Sequence, residues 1–164
     1  MRRSDREITD IEEKLGIIRR CKVLRLGLAE QNQPYIVPMN FGFDYKDGLL
    51  TLYLHGATEG KKRDILNRNR QVCFEMDGEH SLITGKNPSD YSFTYESIIG
   101  FGVGEILEKG DEKTHGLNAL MKHQTGEDRE YTYPEGQLRG VAVFRIRVSS
   151  FTGKRRASHP VSSR

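Results

Sequence analysis

Apolar residues near the start of the chain recur every three or four positions, at Ile8, Ile11, Leu15 and Ile18. That spacing predicts a helix over residues 10–20, with Thr9-Asp10-Ile11-Glu12 at capping-box spacing to begin it. From Cys21 the period shortens to two. Leu24, Leu26 and Leu28 then share one face and Val23 takes the other, which predicts a strand over 21–29. A polar turn leads to a second strand over 35–45, in which Pro38 has no N–H to give to a ladder. Asp47-Gly48 is a hairpin signal into a third strand, where Leu50, Leu52 and Leu54 alternate with Thr51, Tyr53 and His55. A helix is expected from Lys61 to Asn69 and a short strand over 71–76, followed by a polar stretch over 77–90 with no assigned element. Residues 92–107 are β-rich and long enough to serve two neighbouring strands. Residues 111–124 form a helix with Leu117, Leu120 and Met121 as its stripe and Gly126 as its stop. A last strand over 140–149 turns Ala142, Phe144, Ile146 and Val148 inward and Arg145 and Arg147 outward. The sum is a mainly β domain, a small barrel with peripheral helices, since closure is the simplest way for antiparallel strands to lose their edges.

Composition narrows the class. The chain has 164 residues, enough for one domain with a proper core, and its 26 basic residues exceed its 23 acidic ones too slightly to imply nucleic acid. Cys21 and Cys73 lie far apart in apolar runs, without the spacing of a metal site, and read as buried reduced thiols in a cytoplasmic protein. No apolar run approaches the ~20 residues of a membrane span, and no hydrophobic signal core follows the charged start. The segment 155–164 continues the basic run KRRASHPVSSR without apolar periodicity and is expected to be a mobile tail beyond a domain over 1–154.

One stretch carries chemistry. After His55 ends the third strand, Gly56-Ala57-Thr58-Glu59-Gly60 forms a loop, and Lys61, Lys62 and Arg63 open the helix. Cations in a first helical turn oppose the positive end of the backbone dipole, each by about 0.3–1 kcal/mol. A phosphate held by loop N–H groups, with the lysines closing over it, reverses that sign. A solvated basic turn balanced by Glu59 and Asp64 is the plainer reading. The P-loop is excluded, because three rather than four residues separate the glycines and Lys62 stands where the hydroxyl belongs. Gly100-Phe101-Gly102-Val103-Gly104 fails as a dinucleotide fingerprint, with Glu105 in the final glycine position, and reads as glycines in a closely packed or bulged strand.

Seven motifs in order give the chain a family likeness: residues 2–8 (RRSDREI), 35–42 (YIVPMNFG), 54–62 (LHGATEGKK), 72–75 (VCFE), 97–102 (SIIGFG), 116–121 (GLNALM) and 151–154 (FTGK). Together they resemble the FMN-binding split β-barrels related to pyridoxamine 5′-phosphate oxidase, and within them the nitroimidazole-reductase-like branch. The resemblance implies a homodimer with two FMN molecules in clefts between the barrels. It implies Lys62 as the main phosphate cation, with Lys61, Gly56, Ala57 and Thr58 as loop partners, and Pro38, Met39, Asn40 and Phe41 bordering the flavin ring through backbone groups. It also raises His55 from a strand-end cap to a candidate catalytic proton source, ahead of Tyr53 and Tyr95. The activity implied is FMN-dependent reduction of nitro-aromatic or similar small electron acceptors, with NAD(P)H as a candidate donor. The alternatives are a flavin- or haem-binding protein without strong turnover, with His55 as an axial ligand, and pyridoxamine 5′-phosphate oxidase chemistry itself.

Overall fold

The period-two segments close on one another. The computed structural model describes residues 3–157, with strands β1 (Glu7–Ile8), β2 (Val23–Glu30), β3 (Gln33–Lys46), β4 (Leu49–Gly56), β5 (Gln71–Ile83), β6 (Ser92–Leu107) and β7 (Ala142–Arg156). Helices are α1 (Ile11–Arg20), α2 (Lys61–Arg68), α3 (Gly110–Thr125) and α4 (Glu135–Arg139). The antiparallel ladder runs β7-β4-β3-β2-β5-β6 and returns from β6 to β7, so six strands form a closed ring with β1 added beside the end of β7. Inside it lie Leu24, Leu26, Leu28, Phe41, Leu50, Leu52, Leu54, Phe74, Met76, Ile98 and Phe144, with Leu15, Ile17 and Ile18 of α1 and Ile65 and Leu66 of α2 joining the same core.

Local chemistry sets the element ends, not always where the sequence pattern puts them. The cap of α1 is Asp10 and not Thr9: the Asp10 carboxylate accepts from the Glu13 N–H at 2.8 Å. The β3–β4 hairpin turns through Asp47 and Gly48, both at positive φ (54° and 79°), as primed turns require. β5 runs past the expected short strand to Ile83, so the first half of the polar stretch left unassigned is its extension, with a register shift between Gly78 and Ser81, and the second half is a connection ending in a short 3-10 turn at Pro88–Asp90. β6 is one strand of 16 residues that pairs with both β5 and β7. Its glycines are close-packing sites: a methyl on Gly104 would sit 2.6 Å from Leu66. α4 was not foreseen.

Two expectations about exposure change. Arg145 does not face water freely; it bonds Glu105 at 2.6 Å and Glu112 of α3 at 3.1 Å. Cys73 is half-exposed while Cys21 is buried; both are free thiols. Arg155 and Arg156, expected in the tail, continue β7 opposite Glu96 and Tyr95, and residues 158–164 of that tail lie outside the described residues. Among the described residues no helix is long and apolar enough to cross a membrane.

Candidate functional site

β3 is longer than its partner on one side, and this opens a cleft. It pairs with β2 from Gln33 to Asn40 but with β4 only from Phe41, opposite Leu54, to Lys46. Continued, that register would set Asn40 against His55 and Met39 against Gly56, where the β3–β4 ladder stops and the loop departs. The backbone of residues 33–40 therefore keeps an open edge beside the loop. The side chains divide by strand alternation: Met39 and Phe41 are buried in the core, Pro38 and Asn40 exposed.

The other wall is the loop and the start of α2. Gly60, at φ 124°, carries a conformation suited to glycine, and its carbonyl accepts from Arg63 N (3.0 Å) and Asp64 N (3.2 Å). The N–H groups of Lys61 and Lys62 come before the first helical donor, Arg63 N, and have no acceptor among the described residues, which leaves them to an anion. Lys62 folds back over Gly56: a Cβ there would sit 2.5 Å from its Nζ, which also lies 5.7 Å from the Phe144 ring centre. Lys61 turns the other way and places its Nζ 4.8 Å from the centre of Tyr35 on β3. Arg63 points to a third side and donates from Nη1 to the Thr58 carbonyl. His55 is exposed at the end of β4, opposite Val143. The structure thus brings residues 38–41, 55–58, Lys61 and Lys62 to one strand-end gap.

The other candidates separate from it. Tyr53 is buried beneath α3, and burial, with the Asp44 carboxylate beside it, pushes its phenol up to about 12. Tyr95 pairs with Arg156, at the far end of β7 from the Val143 that faces His55. Burial opposes its ionisation, but the Arg6 hydrogen bond at 3.4 Å and the Lys154 charge outweigh that and lower its pKa. Burial, then the Glu96 and Asp77 charges, pushes the Cys21 thiol up to about 11, and burial raises Cys73 as well, so neither is an activated nucleophile.

Sequence reasoning missed the residues that hold β3 in place. At the end of α3, His123 Nδ1 lies 3.0 Å from the Phe41 carbonyl, which also accepts from Gln124 Nε2 at 2.8 Å. Asn40 Nδ2 donates to Lys22 O (3.1 Å) and Gln124 Oε1 (3.3 Å). α3 can approach this closely because a methyl on Gly42 would fall inside the backbone of Ala119 and Leu120. The signal was present, since Gly116, Leu120 and His123 follow one another at helical spacing on the buried side of α3.

A sequence profile described as pyridoxamine 5′-phosphate oxidase matches residues 10–155. Among solved structures, a candidate 5-nitroimidazole antibiotic resistance protein from Bacteroides thetaiotaomicron VPI-5482 is 33% identical, with a TM-score of 0.78, over 90% of this chain and 85% of that one. The flavocytochrome Anf3 from Azotobacter vinelandii (16% identity, TM-score 0.79, 99% and 75% covered) shares the fold. So does the FAD and heme binding protein from Mycobacterium smegmatis (20% identity, TM-score 0.78, 96% and 77% covered). No curated protein sequence matched the chain.

Proposed function

The chain belongs to the pyridoxamine 5′-phosphate oxidase family, and on that premise we propose that it is an FMN-dependent oxidoreductase that reduces nitro-aromatic or similar small electron acceptors. The observation that carries the reading is the pair of lysines, Lys61 and Lys62, at the free N–H groups of α2 and beside the open edge of β3. The residues fit the group. Lys62, Lys61 and the amides of Gly56, Ala57 and Thr58 answer a phosphate dianion, and the backbone of Pro38, Met39 and Asn40, on the side away from β2, offers unpaired groups to a planar, hydrogen-bonding ring that Phe41 borders where the β4 pairing begins. When bound, the flavin supplies a two-electron carrier able to accept hydride from a donor such as NAD(P)H and to reduce an acceptor.

The chain's own tasks are to bind, orient and deliver a proton. His123 and Gln124 fix the Phe41 carbonyl and Asn40, and so hold the strand edge against which the ring would lie. His55, exposed at the cleft mouth, is the proton source we assign, because imidazole alone among these side chains ordinarily titrates near neutrality. The working unit in this reading is a cytoplasmic homodimer, favoured by the apolar outer stripe of β6 described below.

The reading is tested with the FMN-loaded protein, NAD(P)H and a nitro-aromatic acceptor. Turnover is expected, and His55→Ala lowers kcat by about 10²–10⁴-fold while FMN occupancy stays near wild type. Flavin loss in His55→Ala without a separate kinetic effect makes His55 a binding residue. No turnover by the loaded wild type across donors and acceptors leaves a cofactor carrier.

A further inference from the structure

On the side of the loop away from β3 lies a cavity of about 530 Å³, within the size range of small-molecule sites. Arg63 and Lys113 reach into it, above an apolar floor that includes Ile106, Leu138, Val141 and Ala142. Arg63 spends its Nη1 on the Thr58 carbonyl, but its Nε is buried and has no acceptor among the described residues. With Nε sealed from solvent, it is the rest of the guanidinium that brings its positive charge to the cavity lining. Lys113 donates one N–H to the Leu138 carbonyl, which leaves further donors on the same ammonium. The carboxylates at the cavity, Glu108 and Glu135, are exposed at its rim, and Glu135 is already paired with Arg139 at 3.0 Å. The interior is therefore positive and apolar together.

We propose that this cavity is a second ligand site, for a small organic anion that carries a carboxylate or phosphate monoester on a compact apolar body. The anion would meet the Arg63 guanidinium through the part not spent on Thr58, together with the Lys113 ammonium, and its apolar body would cover Ile106, Leu138 and Val141. It is not the cleft described above, because the cations of that cleft turn elsewhere: Lys61 to Tyr35 and Lys62 to Gly56. The two sites share Thr58, whose carbonyl holds Arg63, so an occupant here bears on the conformation of the loop. The proposal does not depend on flavin binding.

Benzoate, phenyl phosphate and neutral benzamide serve as probes, titrated into the full ¹⁵N-labelled chain with and without FMN. At least one anion is expected to shift the amides of Thr58, Lys113 and Val141 saturably, with benzamide at least tenfold weaker. The better of the two anions identifies the head group. Arg63→Gln and, separately, Lys113→Gln should each weaken the anion about tenfold while leaving the spectrum of a folded barrel; the second sits on a different helix and keeps the test sound if the first misfolds. No saturable shift by either anion, equal binding of benzamide, or unchanged affinity in the folded variants overturns the proposal. Displacement of the probe by FMN, one for one, also overturns it by making the cavity part of the flavin cleft. A flavin-free chain that binds the anion but never FMN would instead contradict the proposed function alone.

Discussion

His123 lies between two backbone carbonyls, Phe41 O at 3.0 Å from Nδ1 and Arg19 O at 3.3 Å from Nε2, and a neutral imidazole has one N–H to give. Protonation would satisfy both, yet burial, followed by the nearby Lys22 ammonium, holds the ring's pKa below the ordinary His value of 6.5. Lys22 is drawn close because it donates to the carbonyl of His123 itself. With the folded pKa depressed, the unfolded chain takes up the proton first. The stability that the neutral ring contributes is complete above about pH 6.5 and is lost as pH falls from there towards the folded pKa. Between pH 7.5 and 5.5 the urea midpoint of the wild type should fall, and His123→Gln, which keeps an amide donor without the titration, should flatten that fall. An equal slope in the variant would place the dependence on other groups. Lys22→Met should reduce the depression, since it removes the second cause.

At the scale of elements, β6 is apolar on both faces. Ile98 and Ile106 pack on the barrel core, while Phe93, Ile99 and Phe101 point out and are 54%, 45% and 56% exposed. Register extends the patch sideways, because Phe101 pairs with Cys73, Cys73 with Gly27 and Gly27 with Ile36, itself 66% exposed. A strand apolar on both sides is the mark of one buried on both sides. The proposed homodimer covers this face with the same face of a second copy, as a two-fold contact requires. Light scattering at micromolar concentration should give twice the 18.8 kDa chain mass, and Phe101→Lys should return it to one. A wild-type monomer would defeat the shared interface.

β2 and β4 were legible because alternate residues of each meet the barrel core, although in β4 Tyr53 on the other face is buried too, beneath α3. What alternation could not give were the extents of β5 and β7, whose outer parts are largely polar and are placed by ladder pairing and, in β7, by Phe151 on the core and the ion pairs of Arg155 with Glu13 and Glu96. The candidate site was legible as a loop, since His55–Lys62 is contiguous, and its strand-edge half was legible through the resemblance. Of the His123–Gln124 support only the place of His123 on the buried side of α3 was legible; its partner, the Phe41 carbonyl, depends on a tertiary contact through Gly42 that no local pattern expresses.

At the scale of the whole molecule, closure of the ring and the opening of the site are one arrangement. β7 crosses between β4 and β6 and removes the sheet's edges, so the stretch of β3 from Gln33 to Asn40 stands out as backbone left without a second partner. The loop that ends β4 brings two cations and the start of α2 to that gap. The central claim is that this gap holds a flavin by its phosphate. It is tested most directly by titrating FMN and riboflavin into the flavin-free protein and following fluorescence quenching, with Lys62→Ala beside the wild type. The account predicts that FMN binds at least about tenfold more tightly than riboflavin, and that Lys62→Ala weakens FMN by about 1.5–3 kcal/mol while barely changing riboflavin. Equal affinity of the wild type for FMN and riboflavin would contradict it.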